Sequence, residues 1–514
     1  MWNEKESCKM QKPKSDIKSN TAQYEMRALI KPTGFREYDA RWWFGHPASD
    51  KPSEINLYGI QTLGASLGTL IHELGIVPKI VVGHDYRSYS LSIKQALIVG
   101  LMSAGVEVLD IGLALSPTAY FAQFALDVPC VAMVTASHNS NGWTGVKMGV
   151  ERPLTFGPDE MSRLKEIALS GQAVNRAGGG YQFIEDMPAL YMHDLAKGIK
   201  IKRKLRVVAA CGNGTAGYFA PHVLDKIGVE VIPVQCNLDH SFPAYNPNPE
   251  DMKMLHAMRD AVAEHKADLA VGFDGDGDRC GVVDNEGEEI FADKVGVMLA
   301  RDLSAKFENA QFVADVKSTG LYATDPVLIA NGAKTDYWKT GHSYIKRRSK
   351  EIGALVGFEK SGHYFFNAPI GRGYDDGILS AIAILQMLDN NPDKSMADLR
   401  RALPKTWGSP TMSPYCDDEK KYGVVDKVIA EYQLAFKNGD KLLGQNIRDI
   451  NTVNGVRVTL EDGTWGLVRA SSNTPNLVVV VESPTSEANK TNMFREIEAR
   501  LAKYDEIGEY DQKI

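Results

Sequence analysis

The sequence predicts an α/β protein: three related α/β units with mixed, mainly parallel sheets, followed by a smaller C-terminal α+β unit. Three observations carry that prediction. At 514 residues the chain is too long for one hydrophobic core and suggests roughly three to four domains. An apolar strand, a helix and a second apolar strand recur in successive stretches of about 100 residues, the signature of parallel sheets. After residue 409 the pattern changes to β-rich segments closed by one helix.

Residues 1–24 are rich in Lys, Glu, Ser and Asn and are expected to form a mobile tail. The first unit, 25–195, holds the strand Lys79 to His84, which ends in a polar turn at Asp85. A helix from Ser90 to Ala104 and a strand from Val106 to Asp110 follow. The second, 196–290, repeats the order: strand Leu205 to Ala210, helix Tyr218 to Ile227, strand Val229 to Val234, helix Asp251 to Glu264, strand Leu269 to Phe273. The third, 291–408, has a strand from Gln311 to Val316, a helix from Thr324, and a strand from Lys334 to Trp338. In the fourth, 409–514, Asn454-Gly455 makes a hairpin turn, Leu477 to Glu482 is a β-branched strand, and Ser486 to Tyr504 is the closing helix.

Composition bounds the function. With 44% hydrophobic and 24% charged residues the chain is an ordinary globular protein. A net charge of −7 offers no general attraction for nucleic acid or acidic membranes. The basic runs Lys200 to Arg206 and Lys346 to Lys350 read as solvated edges of a strand or helix. The six cysteines form no Cys-x-x-Cys pair, and free thiols in a reducing compartment are expected. Met1 to Asn20 lacks the apolar core of a signal peptide, and Ile378 to Leu388 is too short to span a bilayer. The expected location is the cytoplasm, as a monomer or homodimer.

Four loops carry the chemistry. Asp274-Gly275-Asp276-Gly277-Asp278 follows the apolar run Leu269 to Phe273. Its glycines let three carboxylates turn to one point, an arrangement that needs a cation. Oxygen ligands select Mg²⁺ or Ca²⁺ over zinc. An EF-hand is excluded, because counting from Asp274 the sixth and twelfth positions are Arg279 and Asn285 instead of Gly and Glu. Thr135-Ala136-Ser137-His138-Asn139 stands at the end of another apolar run, where a serine can act as nucleophile, with Lys147 ten residues on. Glu359-Lys360-Ser361-Gly362-His363 pairs a carboxylate and a hydroxyl suited to sugar hydroxyls; Lys339 and His342 lie upstream. Arg469-Ala470-Ser471-Ser472-Asn473-Thr474 offers a guanidinium and small donors for a phosphate. The competing reading of each is a structural turn, for which Asp, Gly, Ser and Asn are favoured residues.

Taken in order, starting from Phe35-Arg36-Glu37-Tyr38-Asp39-Ala40-Arg41, these segments resemble the α-D-phosphohexomutases of the phosphomannomutase/phosphoglucomutase group over nearly the whole chain. The resemblance implies domains around a central cleft and a phosphorylated serine at Ser137. It implies Mg²⁺ on Asp274, Asp276 and Asp278, with the Ser137 phosphate as a further ligand. Lys147, Arg41 and Arg279 would neutralise the moving phosphoryl group, Lys147 also serving as general acid/base, with His138 beside the serine. Tyr38, Lys339, His342, Glu359, Ser361 and His363 would line the sugar site. Arg469, Ser471, Ser472, Asn473 and Thr474 would hold the other phosphate. The expected reaction interconverts hexose 6-phosphate and hexose 1-phosphate through a hexose 1,6-bisphosphate. Lys360 stands where Met is frequent, Ala136 where Gly is frequent and Ser140 where Pro is frequent, which leaves mannose against glucose open.

Three other readings remain. Phosphoglucosamine mutase is the nearest within the family. A catalytically dead relative would serve as a scaffold. Gly212-Asn213-Gly214-Thr215-Ala216-Gly217 after a strand, with Glu230 downstream, is a legal dinucleotide fingerprint and would make the chain an NAD-dependent dehydrogenase.

Overall fold

The computed structural model describes residues 27–514, so the expected N-terminal tail and Cys8 lie outside the described residues. Four sheets follow one another along the chain. The first has six strands in the order Ala40–Trp43, Trp143–Gly149, Cys130–Val134, Lys79–His84, Glu107–Leu113, Gly180–Phe183. The second runs Glu289–Ile290, Cys280–Asp284, Leu269–Phe273, Arg206–Ala210, Glu230–Val234, and the third Lys334–Trp338, Gln311–Asp315, Val356–Phe358, Tyr364–Phe366. Each has a parallel, helix-connected core with antiparallel strands added along one edge. The fourth sheet is wholly antiparallel: Trp407–Gly408, Leu477–Ser483, Trp465–Ala470, Val456–Leu460, Ile447–Asn451.

The central strands Cys130–Val134 and Leu269–Phe273 are buried at every position, which matches their uninterrupted apolar letters. The antiparallel partners escape such a reading, because Trp143–Gly149 and Cys280–Asp284 mix Gly, Lys, Thr and Asp with apolar residues. The helix expected from Thr324 is two short ones, Leu321–Thr324 and Pro326–Ala330. Pro326 biases Asp325 to an extended backbone, and its carboxylate then caps the second helix by accepting from Val327 N and Leu328 N. The basic run at 346–350 is not wholly solvated: Lys346 is fully buried, its Nζ 2.7 Å from Asp375 Oδ1.

The first three units share a continuous hydrophobic core, from Val81 through Phe219 and Phe273 to Phe312 and Leu388. The fourth has a core of its own, around Met412, Val428, Val479 and Ile497. It meets the third through a small cluster of Val316, Trp465, Leu467, Val478 and Val480. There the Arg457 guanidinium lies 3.7 Å over the Trp465 ring and donates to Val316 O and Ser318 O. No helix among the described residues is long and apolar enough to cross a membrane.

Candidate active site

All four loops singled out in the sequence occupy the same architectural slot. Each connects two antiparallel neighbours in its sheet: 135–142 joins Cys130–Val134 to Trp143–Gly149, and 274–279 joins Leu269–Phe273 to Cys280–Asp284. Likewise 359–363 joins Val356–Phe358 to Tyr364–Phe366, and 471–476 joins Trp465–Ala470 to Leu477–Ser483.

The first two loops meet face to face. Ser137 Oγ donates to Asp274 Oδ2 at 3.0 Å across the boundary between the first and second units. The approach is tight enough that a Cβ on residue 275 would stand 2.6 Å from Ser137 O, so only glycine fits there. Ser137 takes a left-handed φ of 50°, unusual outside glycine, and its neighbours hold it so. Its N–H donates to Thr135 Oγ1 (2.8 Å), and Arg87 Nη2 donates to Ser137 O (2.9 Å) and Asn139 O (2.7 Å). Asp85 completes the clamp, accepting from Arg87 Nε (3.1 Å) and Thr135 Oγ1 (2.9 Å). Asp85 and Arg87 were not singled out in the sequence; the signal was a polar Asp-Tyr-Arg turn at the end of a central strand.

Asp274, Asp276 and Asp278 are completely buried, and each offers an oxygen within 4.8 Å of the others. Lys147 reaches in from the antiparallel strand after the serine loop, its Nζ donating to Asp276 Oδ2 (2.7 Å) and to Asp278 Oδ2. Burial opposes the charge on Lys147, yet the two carboxylates more than offset it and hold the ammonium well above its ordinary pKa. Asp276 also accepts from Ser116 Oγ (2.6 Å). Asp274, by contrast, is pushed well above the carboxylate range by burial and by the charges of Asp278 and Asp276. Asp276 Oδ1 and Asp278 Oδ1 are buried without a hydrogen-bond partner. A donor set of hard oxygens, two of them buried without a partner, fits a divalent cation such as Mg²⁺.

Cations rim the serine. Arg41 Nη1 donates to Asn139 Oδ1 (2.6 Å), and its Nε to Asp39 Oδ2 (2.9 Å). Arg279 lies 3.7 Å from Asp274 and donates through Nε to His363 Nε2 (3.0 Å). His138 Nδ1 is 3.4 Å from Ser137 Oγ; burial and the charges of Arg279 and Arg41 keep the imidazole neutral. The other ring nitrogen of His363 is 3.0 Å from Asp375, which Lys346 holds in turn. Sequence reasoning missed Asp375 and Lys346, because their meeting depends on tertiary packing.

The third loop closes the opposite wall. Glu359 accepts from Gly341 N (2.5 Å) and Ser361 Oγ (3.2 Å), and burial raises its pKa. His342, neutral through burial, packs its ring edge-on to Tyr38 at 4.7 Å. Lys339 is half-buried, its Nζ 5.5 Å over the Tyr344 ring. Lys360 turns away from Glu359 to Asp293 Oδ2 (3.3 Å) and the Phe291 ring. In the fourth loop, Asn473 Nδ2 donates to Tyr38 OH (3.3 Å), which links it to the first unit. Ser471 Oγ and Thr474 Oγ1 are 2.8 Å apart, Ser472 is buried, and Arg469 Nε is buried with no partner. Glu37 ties the assembly together, accepting from Tyr344 OH of the third unit (2.8 Å) and Tyr422 OH of the fourth.

The dinucleotide fingerprint does different work. A Cβ on residue 217 would stand 2.2 Å from Cys236 O, so that glycine is filled by the chain itself, and Glu230 pairs with Arg206 (2.9 Å).

A hydroxyl, an acidic triplet and converging cations, gathered from successive α/β units, define a phosphoryl-transfer site. Comparison with known proteins is specific on this point. The chain matches the phosphoglucomutase/phosphomannomutase alpha/beta/alpha domains I, II and III over residues 33–174, 189–287 and 291–407, and the C-terminal domain over 416–500. It is 34% identical over 456 residues to a phosphomannomutase/phosphoglucomutase of Pseudomonas putida, covering 89% of this chain and 93% of that one. A phosphoglucomutase of Neisseria meningitidis is 29% identical, with 88% and 94% covered. The crystal structure of a phosphoglucomutase/phosphomannomutase family protein from Burkholderia thailandensis superposes with a TM-score of 0.79 at 27% identity, covering 92% of this chain and 98% of that one. The chain therefore belongs to the phosphoglucomutase/phosphomannomutase family.

Proposed function

We propose that the protein is a phosphohexomutase that interconverts hexose 6-phosphate and hexose 1-phosphate, on mannose or glucose, through a phosphoserine at residue 137. The observation that carries this reading is Ser137 Oγ lying 3.0 Å from Asp274, across a domain boundary and beside Lys147 and Arg41. The free hydroxyl of a hexose monophosphate attacks the phosphoserine, and Ser137 Oγ leaves as an alcohol with a proton that Lys147, held protonated, supplies. In-line displacement puts the attacking hydroxyl on the far side of phosphorus from Ser137 Oγ, so its proton passes to a base there, whereas His138, 3.4 Å from the leaving oxygen, lies on the leaving side. The resulting hexose 1,6-bisphosphate turns end over end, and Ser137 takes back the other phosphoryl group.

Asp274, Asp276 and Asp278, with the Ser137 phosphate, would hold Mg²⁺, which would neutralise the charge spread over the phosphoryl oxygens. Arg41 and Arg279 supply fixed positive charge on the other side. Glu359 and Ser361 read the sugar hydroxyls. Arg469 and the loop from Ser471 to Thr474 grip whichever phosphate is not reacting. The division of labour follows the proposed boundaries near 195, 290 and 408: serine, metal, sugar and distal phosphate, one per unit. Mass spectrometry of intact protein should find a phosphate on Ser137. Side-by-side turnover of mannose 1-phosphate, glucose 1-phosphate and glucosamine 1-phosphate should favour the first two; a preference for the amino sugar would overturn the substrate assignment.

A further inference from the structure

The turn Gly212 to Gly217 is unexplained by the reaction, and two sulfurs flank it. Cys236 Sγ lies 3.5 Å from Cys211 Sγ. Cys211 follows the buried strand Arg206–Ala210, and Cys236 follows its parallel neighbour Glu230–Val234. Gln235 between them takes a left-handed φ of 52°, which swings Cys236 back beside Cys211. Cys211 is buried, whereas Cys236 is half-buried between exposed Gln235 and Asn237.

We propose that Cys211 and Cys236 are a dithiol that a hydroperoxide oxidises reversibly to a disulfide, and that the Gly212–Gly217 turn transmits this to the metal loop. The Cys236 thiolate attacks the peroxide oxygen, giving a sulfenic acid and an alcohol. Cys211 sulfur then displaces water from it and the S–S bond forms. Two thiols lose two electrons and two protons, and the hydroperoxide becomes an alcohol and water. Chemistry favours this pair over the other thiols. These are two sulfurs in contact at 3.5 Å with Cys236 half-buried, and that contact brings the Cys236 thiol below its ordinary pKa while raising that of Cys211, whereas burial pushes Cys130 up to about 12 and raises Cys280.

The coupling is a short chain of contacts. Closing the sulfurs from 3.5 Å to a bond of about 2.05 Å moves the turn between them. Asn213 N donates to Gln235 O (2.7 Å) and Asn213 Nδ2 to Asn237 O (2.8 Å), so the turn and the Cys236 segment move together. Thr215 N in turn donates to Gly275 O (3.4 Å), the residue between Asp274 and Asp276.

The full-length protein is treated with hydrogen peroxide, alkylated, digested without reductant and assayed for mutase turnover before and after dithiothreitol. A peptide linking Cys211 to Cys236 and lighter by two hydrogens is expected, with turnover reduced roughly tenfold and restored by the reductant. Cys236→Ser, at a half-buried position, is expected to keep its activity in reductant and to resist peroxide. Absence of the linked peptide from folded, peroxide-treated protein overturns the disulfide. A linked peptide with unchanged turnover, or equal loss of turnover in Cys236→Ser, overturns the coupling. The peptide readout does not depend on which hexose the enzyme uses.

Discussion

The acidic loop at 274–278 and the Arg469 loop at 471–476 fill the same slot, yet they are built to opposite ends. Every aspartate of the first is completely buried, and its backbone is pinned from outside: Ser116 and Lys147 bind its carboxylates, and Gly377 N donates to Gly277 O at 3.0 Å. The second bonds to itself and to its own unit, where Lys421 Nζ donates to Thr474 O (3.0 Å) and Cys416 N to Pro475 O (2.9 Å), and reaches another unit at Tyr38 through Asn473. Ser471 Oγ receives the N–H of Thr474 (3.2 Å) and meets its hydroxyl, while Thr474 is exposed. The cores behind them differ likewise, since the first loop rests on packing shared by three units and the second on a separate core. A site that moves a phosphoryl group needs fixed electrostatics. Under the proposed reaction, the second loop must accept either phosphate of a tumbling intermediate and needs adaptable donors instead.

The comparison can be broken in a definite order. Ser137→Ala is expected to lower kcat by roughly 10³-fold or more while Tm stays within a degree or two of wild type; retained turnover would remove the covalent step. Next, EDTA should abolish activity and added Mg²⁺ should restore it, with full activity in chelator refuting the metal at the acidic loop. Arg469→Lys should chiefly raise KM, by roughly 10- to 100-fold, because an ammonium cannot replace a bidentate guanidinium. An equal fall in kcat would show that the two loops do the same job. Smallest is Thr474→Ala, which removes one hydroxyl partner of Ser471 and should cost about 1 kcal/mol, or a KM change of about fivefold.

Attachment of the fourth unit can be tested by pH. Glu482 accepts from Lys294 Nζ (2.7 Å), Thr319 Oγ1 (2.9 Å) and Gly320 N (2.8 Å). Burial favours its neutral form, but Lys294 prevails and brings the carboxyl down to about 2. A depressed native pKa stabilises above the unfolded value of about 4.3 and is lost as pH falls toward 2. Glu482→Gln should therefore unfold at lower denaturant concentration than wild type near neutrality, with the gap shrinking between pH 4.5 and 2. A pH-independent gap would mean that the charge is not what matters.

The parallel cores were legible because their strands are buried on both faces, leaving letters such as Leu269-Ala270-Val271-Gly272-Phe273 that read only one way. The four loops were legible because their chemistry is local. The antiparallel partner strands were not, since Trp143–Gly149 carries Lys147 inward and so breaks the apolar pattern. Nor could Lys346 be read as buried: its partner Asp375 lies 29 positions away on another element, and a lysine alone looks solvated. The helix from Thr324 failed on Pro326, a breaker that stood in plain sight.

The placement of all four loops at hairpin tips has a consequence for how such an enzyme can change. A crossover helix in a parallel sheet is tied at both ends and tolerates little editing, whereas a tip between antiparallel neighbours can gain, lose or exchange letters with the ladder beneath it intact. That freedom ends where tips touch: His363 is held by Arg279 and Ser137 by Asp274. New sugar preference can be explored at Lys360, whose side chain turns away to Asp293, while the serine and the acidic triplet stay where they are.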